Sequence, residues 1–205
     1  PFIYFLGKPS SKKRGRFFNE VKVPDFWEIS GDNSMGRISY YGQEKARIYY
    51  HAESYKRIVE RVEWLDAKGQ LVLVERYDQY GRHIATTTCG AEGQQLVTTY
   101  FEAGVERLTE NHQTGDLILT LPKQAMRIFK SRLDFYVFYL EYRGFNLDRV
   151  IYNTLAMSFN VSLRLGNKGL AGQDLLVWQE PLNDSLPGNM QLILGNGAVR
   201  TKKIL

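Results

Sequence analysis

Five short turns at near-regular spacing dominate the middle of this chain: Asp66-Ala67-Lys68-Gly69, Asp78-Gln79-Tyr80-Gly81, Gly90-Ala91-Glu92-Gly93, Glu102-Ala103-Gly104 and Gln113-Thr114-Gly115-Asp116. Each separates two runs rich in Val, Ile, Leu, Thr and Tyr within Lys56 to Leu121. Strands joined by connections this short pair with their sequence neighbours and lie antiparallel. The expected object is a meander with open edges and two broad faces. Ile58, Glu60, Val62 and Trp64 project to one side, and Arg57, Val59, Arg61, Glu63 and Leu65 to the other. In the following run Leu71, Leu73, Glu75 and Tyr77 oppose Val72, Val74 and Arg76. Both faces mix apolar and charged side chains, so neither is a clean core face, and the sheet should recruit another layer.

Three regions follow along the chain. Residues 1–34 hold Phe17, Phe18, Phe26 and Trp27 with little periodicity, and are expected to connect by side-chain packing without a regular ladder. Residues 35–121 form the meander. From Pro122 the pattern reads as a helix carrying Met126, Phe129, Leu133, Tyr136, Val137 and Leu140, stopped at Gly144. A strand at Leu147 to Tyr152 precedes a second helix, capped by Asn153 or Thr154 and ended by Gly166. Asp174 to Trp178 is a compact apolar strand, Pro187-Gly188-Asn189 opens a short helix, and Arg200 to Leu205 starts another strand. That alternation is a parallel α/β unit, part of a doubly wound sheet. The fold class is therefore an antiparallel meander (35–121) joined to a partial Rossmann-like α/β unit (122–205).

With 205 residues, 43% of them hydrophobic, the chain can bury one large core or two small ones. It starts at Pro1 and closes in mid-strand, as expected of a piece of a longer polypeptide. Cys89 is the sole cysteine, which rules out an internal disulfide and favours a reducing compartment such as the cytoplasm, although many secreted bacterial proteins also lack disulfides. Phe2 to Leu6 is too short for a signal core, and no run is long enough to span a bilayer. The net charge of +5 concentrates at Lys8, Lys12, Lys13, Arg14 and Arg16. That loop suits nucleic acid or a peripheral anionic membrane contact. A merely solvated loop is the stronger reading, since the aromatics of a nucleic-acid groove are missing there.

Catalytic chemistry finds little footing. His51, His83 and His112 fall on different strands without ligand spacing, so no metal site is expected. Cys89 has no activating neighbour in sequence. Gly166-Asn167-Lys168-Gly169 follows a helix rather than a strand, so it is no phosphate loop, and no nucleophile elbow occurs. Cofactors are accordingly expected to be none. Two surfaces remain. Tyr40, Tyr41, Tyr49, Tyr50, Tyr77, Tyr80 and Tyr100 read equally well as strand formers or as a contact surface, with Tyr77, Tyr80 and Tyr100 as the partner-interface candidates. Trp178, Gln179, Glu180 and Asn183 follow a parallel strand at its carboxyl end, where open α/β sheets bind ligands. Trp178 offers a sugar-stacking face and the other three offer hydrogen bonds. A structural loop capping the next helix is the competing account.

Four separated segments carry a family resemblance. They are Phe17 to Val21 with Val23 to Ile29; Asn111 to Leu119; Arg127 to Arg132; and Asp174 to Leu182 followed by Leu186 to Leu194. In that order they resemble the stabilising, or chaperone, subunit of the two-component peptide O-GlcNAc transferase. That enzyme modifies serine-rich repeat adhesins before export by the accessory Sec pathway. The resemblance implies a glycosyltransferase-like domain carrying a sheet extension, without catalysis of its own. It further implies a catalytic glycosyltransferase subunit as partner, sheet extensions that pair in the complex, and help in holding a Ser/Thr-rich acceptor. Rivals are an active transferase subunit, with Glu180 positioning the donor sugar, and a carbohydrate-binding module reading modified acceptor through Trp178. Arg76 to Arg82 also resembles one YD repeat of bacterial shell proteins. A single copy is better explained by hairpin chemistry, with Asp opening the turn and Gly at positive φ.

Overall fold

The computed structural model describes residues 14–52, 56–145, 149–169, 172–179, 181, 185–195 and 200–205. It divides into two compact units, residues 1–128 and 129–205.

The first unit is built by its turns. Asp66 and Asp78 each close a turn in the same way, one carboxylate oxygen accepting the amides of residues i+2 and i+4 at 2.8–3.0 Å. Asp78 also pairs with Arg82 at 2.6 Å, so the YD-like segment is hairpin chemistry as expected. These turns fold the chain into ten strands: β1 (Glu28–Gly31), β2 (Met35–Tyr40), β3 (Gln43–Tyr50), β4 (Val59–Leu65), β5 (Leu71–Tyr77), β6 (His83–Cys89), β7 (Gln95–Glu102), β8 (Val105–Asn111), β9 (Leu117–Leu119) and β10 (Arg127–Phe129). Their order in the sheet is their order in sequence. The ladders from β1 to β9 are antiparallel, as the turn spacing requires. β1 corrects one expectation, because a regular ladder reaches into the first 34 residues.

The mixed faces have a structural meaning. Directly opposed residues share a face, and one continuous row reads Ser30, Arg37, Arg47, Glu63, Val74, Thr87, Thr98, Glu110, Leu117. It is open or half-open through Glu63 and buried from Val74 onward. The adjacent row on the other face reads Gly36, Ile48, Val62, Glu75, Thr86, Thr99, Thr109, Ile118. It is buried through Val62 and half-open afterwards. The sheet therefore exchanges its dry side between β4 and β5. At the exchange Glu75 accepts hydrogen bonds from Trp64 Nε1 at 3.1 Å and from the Tyr77 hydroxyl at 3.0 Å.

The dry side of the early strands is covered by residues 14–27. The Arg16 carbonyl accepts the Val59 amide at 2.9 Å, and Phe17 bridges to Ile58. After the 3₁₀ turn Phe18–Glu20, Val21 enters a core of Ile38, Ala46, Ile48, Val59, Val62 and Tyr77, with Phe18, Val23 and Trp27 against it. The guanidinium of Arg16 lies 4.7 Å from the Tyr77 ring centre. This strap needs close backbone approach. A Cβ on Gly81 would stand 2.5 Å from the Arg16 nitrogen, and Gly81 has φ +76°, which disfavours any other residue.

The second unit starts later than the sequence pattern predicts. Pro122 to Met126 is not helical; a turn at Leu121–Gln124 and β10 intervene, and Lys123 adopts φ +58°. Ser131 then accepts the Asp134 amide at 3.1 Å and starts α1 (Arg132–Tyr142). Gly144 stops it with φ +70°, as expected. α2 (Met157–Asn167) begins at Ala156, with no side-chain cap from Asn153 or Thr154. α3 (Gly188–Gly195) opens after Pro187. The parallel sheet has the order β11 (Ile151–Tyr152), β12 (Asp174–Leu176), β13 (Thr201–Ile204), so strand and helix alternate as predicted.

A buried polar knot ties the starts of these strands. Asp174 accepts from the Val150 amide at 2.9 Å and from Ser162 Oγ at 2.6 Å, and pairs with Arg200 at 3.1 Å, both side chains being fully enclosed. Thr201 lies 2.5 Å from the Tyr152 hydroxyl. Among the described residues no helix is long and apolar enough to cross a membrane.

Candidate docking surface and the end of strand β12

β1 stands at one end of the sheet order, with β2 its sole strand neighbour among the described residues. Its hairpin is set by Asp32, whose Oδ1 accepts the Ser34 amide and hydroxyl at 2.6 Å and the Met35 amide at 3.0 Å. These bonds hold the Asp32 carboxyl at about 2. Because the Asp32 amide bonds the Met35 carbonyl at 3.0 Å, antiparallel alternation turns the amides of Ser30 and Glu28 inward. Those of Ile29 and Gly31 point out of the sheet. Outward donors and acceptors of this kind are a template for another strand.

Beside that edge lies the open half of the first face. A cleft of about 660 Å³ is lined by Ser30, Met35, Arg37, Ser39, Glu44, Arg47 and Tyr49. Glu44 pairs with Arg47 at 2.9 Å and with Arg37 at 3.7 Å, and Arg61 lies 3.9 Å over Tyr49. Hydroxyls and paired charges over a flat floor suit polypeptide contact better than enclosure of a small molecule.

The tyrosine candidates separate. Tyr77 is 5% exposed, so it serves the core, and burial, then neighbouring Glu75, pushes its phenol pKa well up. Its expected place among exposed contact residues is therefore corrected. Tyr80 is half-buried with Arg82 4.9 Å from its ring centre. Tyr100 is half-buried between Ala85 and Leu108. Tyr41, by contrast, is 91% exposed.

Only His83 lies on a strand; His51 and His112 stand just past the ends of β3 and β8, which corrects the expectation of three strand positions. His83 sits between the rings of Tyr77 and Phe101, at 5.4 and 4.7 Å, and its Nε2 is 2.9 Å from Thr86 Oγ1. Burial pulls its pKa down. His112 Nε2 meets Thr98 Oγ1 at 2.8 Å. Cys89 is buried, which pushes its thiol up and away from reactivity. Among the described residues no group of three or more His, Cys, Asp or Glu is placed to hold a metal.

At the carboxyl end of β12, Trp178 and Gln179 are described, whereas Glu180 and Asn183 lie outside the described residues, as does most of the basic loop 8–16. Trp178 packs against Tyr152, Phe159, Leu176 and Met190, so its ring is half engaged by its own core. Its Nε1 is buried with no acceptor among the described residues. The sequence reading missed the edge at β1 and the exchange of dry faces. Only register could have revealed the second, because both halves carry the same mixture of residue types.

Residues 27–130 match the family model described as the GtfB middle domain, and residues 132–205 the GtfB third domain. The chain is 51% identical over 206 residues to the UDP-N-acetylglucosamine–peptide N-acetylglucosaminyltransferase stabilizing protein GtfB of Streptococcus gordonii. It is 45% identical over 206 residues to the protein of that name from Streptococcus pneumoniae serotype 4. Each alignment covers 100% of this chain and 45% of the relative, so the chain spans less than half their length. A chain of a crystal structure of the GtfA/B complex bound to UDP and GlcNAc superposes with a TM-score of 0.87 at 51% identity, covering 100% of this chain and 46% of that one. A chain of the Gap123 glycosylation-associated complex from Streptococcus agalactiae shares the fold, with a TM-score of 0.70 at 13% identity, covering 95% and 39%.

Proposed function

This chain belongs to the GtfB family, and on that premise we propose that it acts in the non-catalytic, stabilising subunit of a peptide N-acetylglucosaminyltransferase. In this reading it docks the catalytic subunit through its meander. The observation that carries the reading is β1: a strand at the border of the sheet with outward amides, beside an open polar half-face. Pairing along such a border supplies backbone hydrogen bonds, while the half-face supplies area and specificity. The naming of these relatives as stabilizing proteins supports the same assignment. Affinity measurement between the full-length protein and the catalytic subunit tests it, with Ile29→Pro as the informative variant. Proline there removes an outward donor and spares the inward ladder. Complex formation that Ile29→Pro leaves untouched would count against docking by this border.

A second role rests on Trp178. A buried indole N–H with no acceptor among the described residues, at the carboxyl end of a parallel strand, is a donor suited to an external partner. In this proposal it helps hold the Ser/Thr-rich acceptor, bare or already modified. Trp178→Phe keeps the ring and removes the donor. Titration of the full-length variant with bare and glycosylated Ser-rich peptide should show at least one of them bound more weakly than by the parent; parent-like affinity for both would dismiss the role.

A further inference from the structure

We propose that Phe26 and Tyr41 are the aromatic anchors of the docking surface, two exposed rings on adjoining turns that insert into the catalytic subunit as its polypeptide pairs along β1. This rests on the docking reading above and adds to it the residues that would dominate binding.

The argument begins with backbone geometry. Tyr41 and Gly42 form the two-residue turn between β2 and β3 with φ +48° and +75°. A hairpin turn with both central residues left-handed calls for Asn, Asp or Gly at its first position. Phe26 has φ +67° in the turn Pro24 to Trp27, closed by the Trp27 amide on the Pro24 carbonyl at 3.3 Å. That position too calls for Gly or Asn. Two bulky aromatics therefore occupy sites where local propensity is against them.

The core gains nothing in return. Phe26 is 92% exposed and Tyr41 91%, so neither ring contributes core area. A residue that breaks a local rule without compensation in the fold points to a role outside it.

The two turns belong to one patch. Trp27 stacks on Tyr40 with ring centres 5.9 Å apart, and Tyr40 meets Tyr41 edge-on at 4.4 Å. The pairing Glu28–Ser39 places the start of β1 at the same end of the sheet as the β2–β3 turn. The rings thus stand at the head of the open border. An aromatic cluster beside backbone donors that no described residue pairs fits a polypeptide, which alone satisfies both. Asp25 and Glu28 lie within two residues of Phe26, and Lys45 lies 5.9 Å from the Trp27 ring centre. Charges of both signs therefore surround the rings, unlike the uniformly basic surface that nucleic acid or an anionic bilayer calls for. Exposed aromatics ringed by polar groups are the typical composition of interface hot spots.

The test is the double variant Phe26→Asn/Tyr41→Asn in the full-length protein. Asn suits both backbone conformations, so the variant should unfold at the same or higher temperature than the parent. Its affinity for the catalytic subunit should fall about 30-fold for each ring removed. Parent-like affinity in a folded double variant overturns the anchor assignment while leaving docking by the border intact. Failure of the parent to bind overturns the docking reading and the anchors with it. If the parent self-associates in sedimentation and the double variant does not, the occupant is a second copy, and the assignment to the catalytic subunit is wrong.

Discussion

Gly81 and Gly69 present the same left-handed backbone, with φ +76° and +79°, yet they do not face the same surroundings. Space around Gly69 is open, whereas a side chain on Gly81 would press into the Arg16 backbone. Gly69→Ala should cost about 1 kcal/mol, the backbone penalty alone, and Gly81→Ala about 2–4 kcal/mol, since the strap must also shift. Urea denaturation of the two variants reads the difference. His83 gives a pH signature. Burial holds its pKa below the ordinary 6.5, so the unfolded chain binds the proton more readily. The neutral ring's contribution is complete above about pH 6.5 and is lost as pH falls towards the folded value. Stability should therefore decline from about pH 7 to 5, and His83→Phe, which keeps the stack between Tyr77 and Phe101, should flatten that decline. An unchanged slope would assign the loss to other groups.

At the level of elements, the strap is what closes the early core. Val21 is buried on Ile38, Ala46 and Ile48, and Val21→Ala should cost about 2 kcal/mol, measurable as a lowered melting temperature. The turn residues announced nearly all of the meander, because Asp66, Asp78 and Asn111 act within five residues of themselves and need no tertiary help. The parallel unit was legible too, from the apolar run at Asp174 and the proline before α3. What escaped the sequence depended on distant partners. β1 carries Glu28, Ser30 and Gly31, with no strand signature, and is recruited by the register of β2. The helix pattern around Met126 and Phe129 was real as spacing, but Pro122 and a left-handed Lys123 break it before Ser131 can cap. Trp178 was found by position, and its orphan donor only by structure.

At the scale of the molecule, the two units answer to different chemistry. The meander closes by turns and one strap, while the α/β unit is tied by an enclosed ion pair. Asp174→Ala would remove the enclosed carboxylate that Arg200 pairs with, at a cost of about 3–5 kcal/mol. Amide hydrogen exchange should rise throughout residues 129–205 and hold steady in β2–β8; acceleration of both alike would refute independent tying. The exchange of dry sides within the meander has a larger consequence. A ribbon waterproofed on its upper surface at one end and its lower surface at the other cannot be plastered onto a single wall. Its two wet quarters look in opposite directions, so guests seated on them would not jostle, and one berth could fill while the other stood vacant.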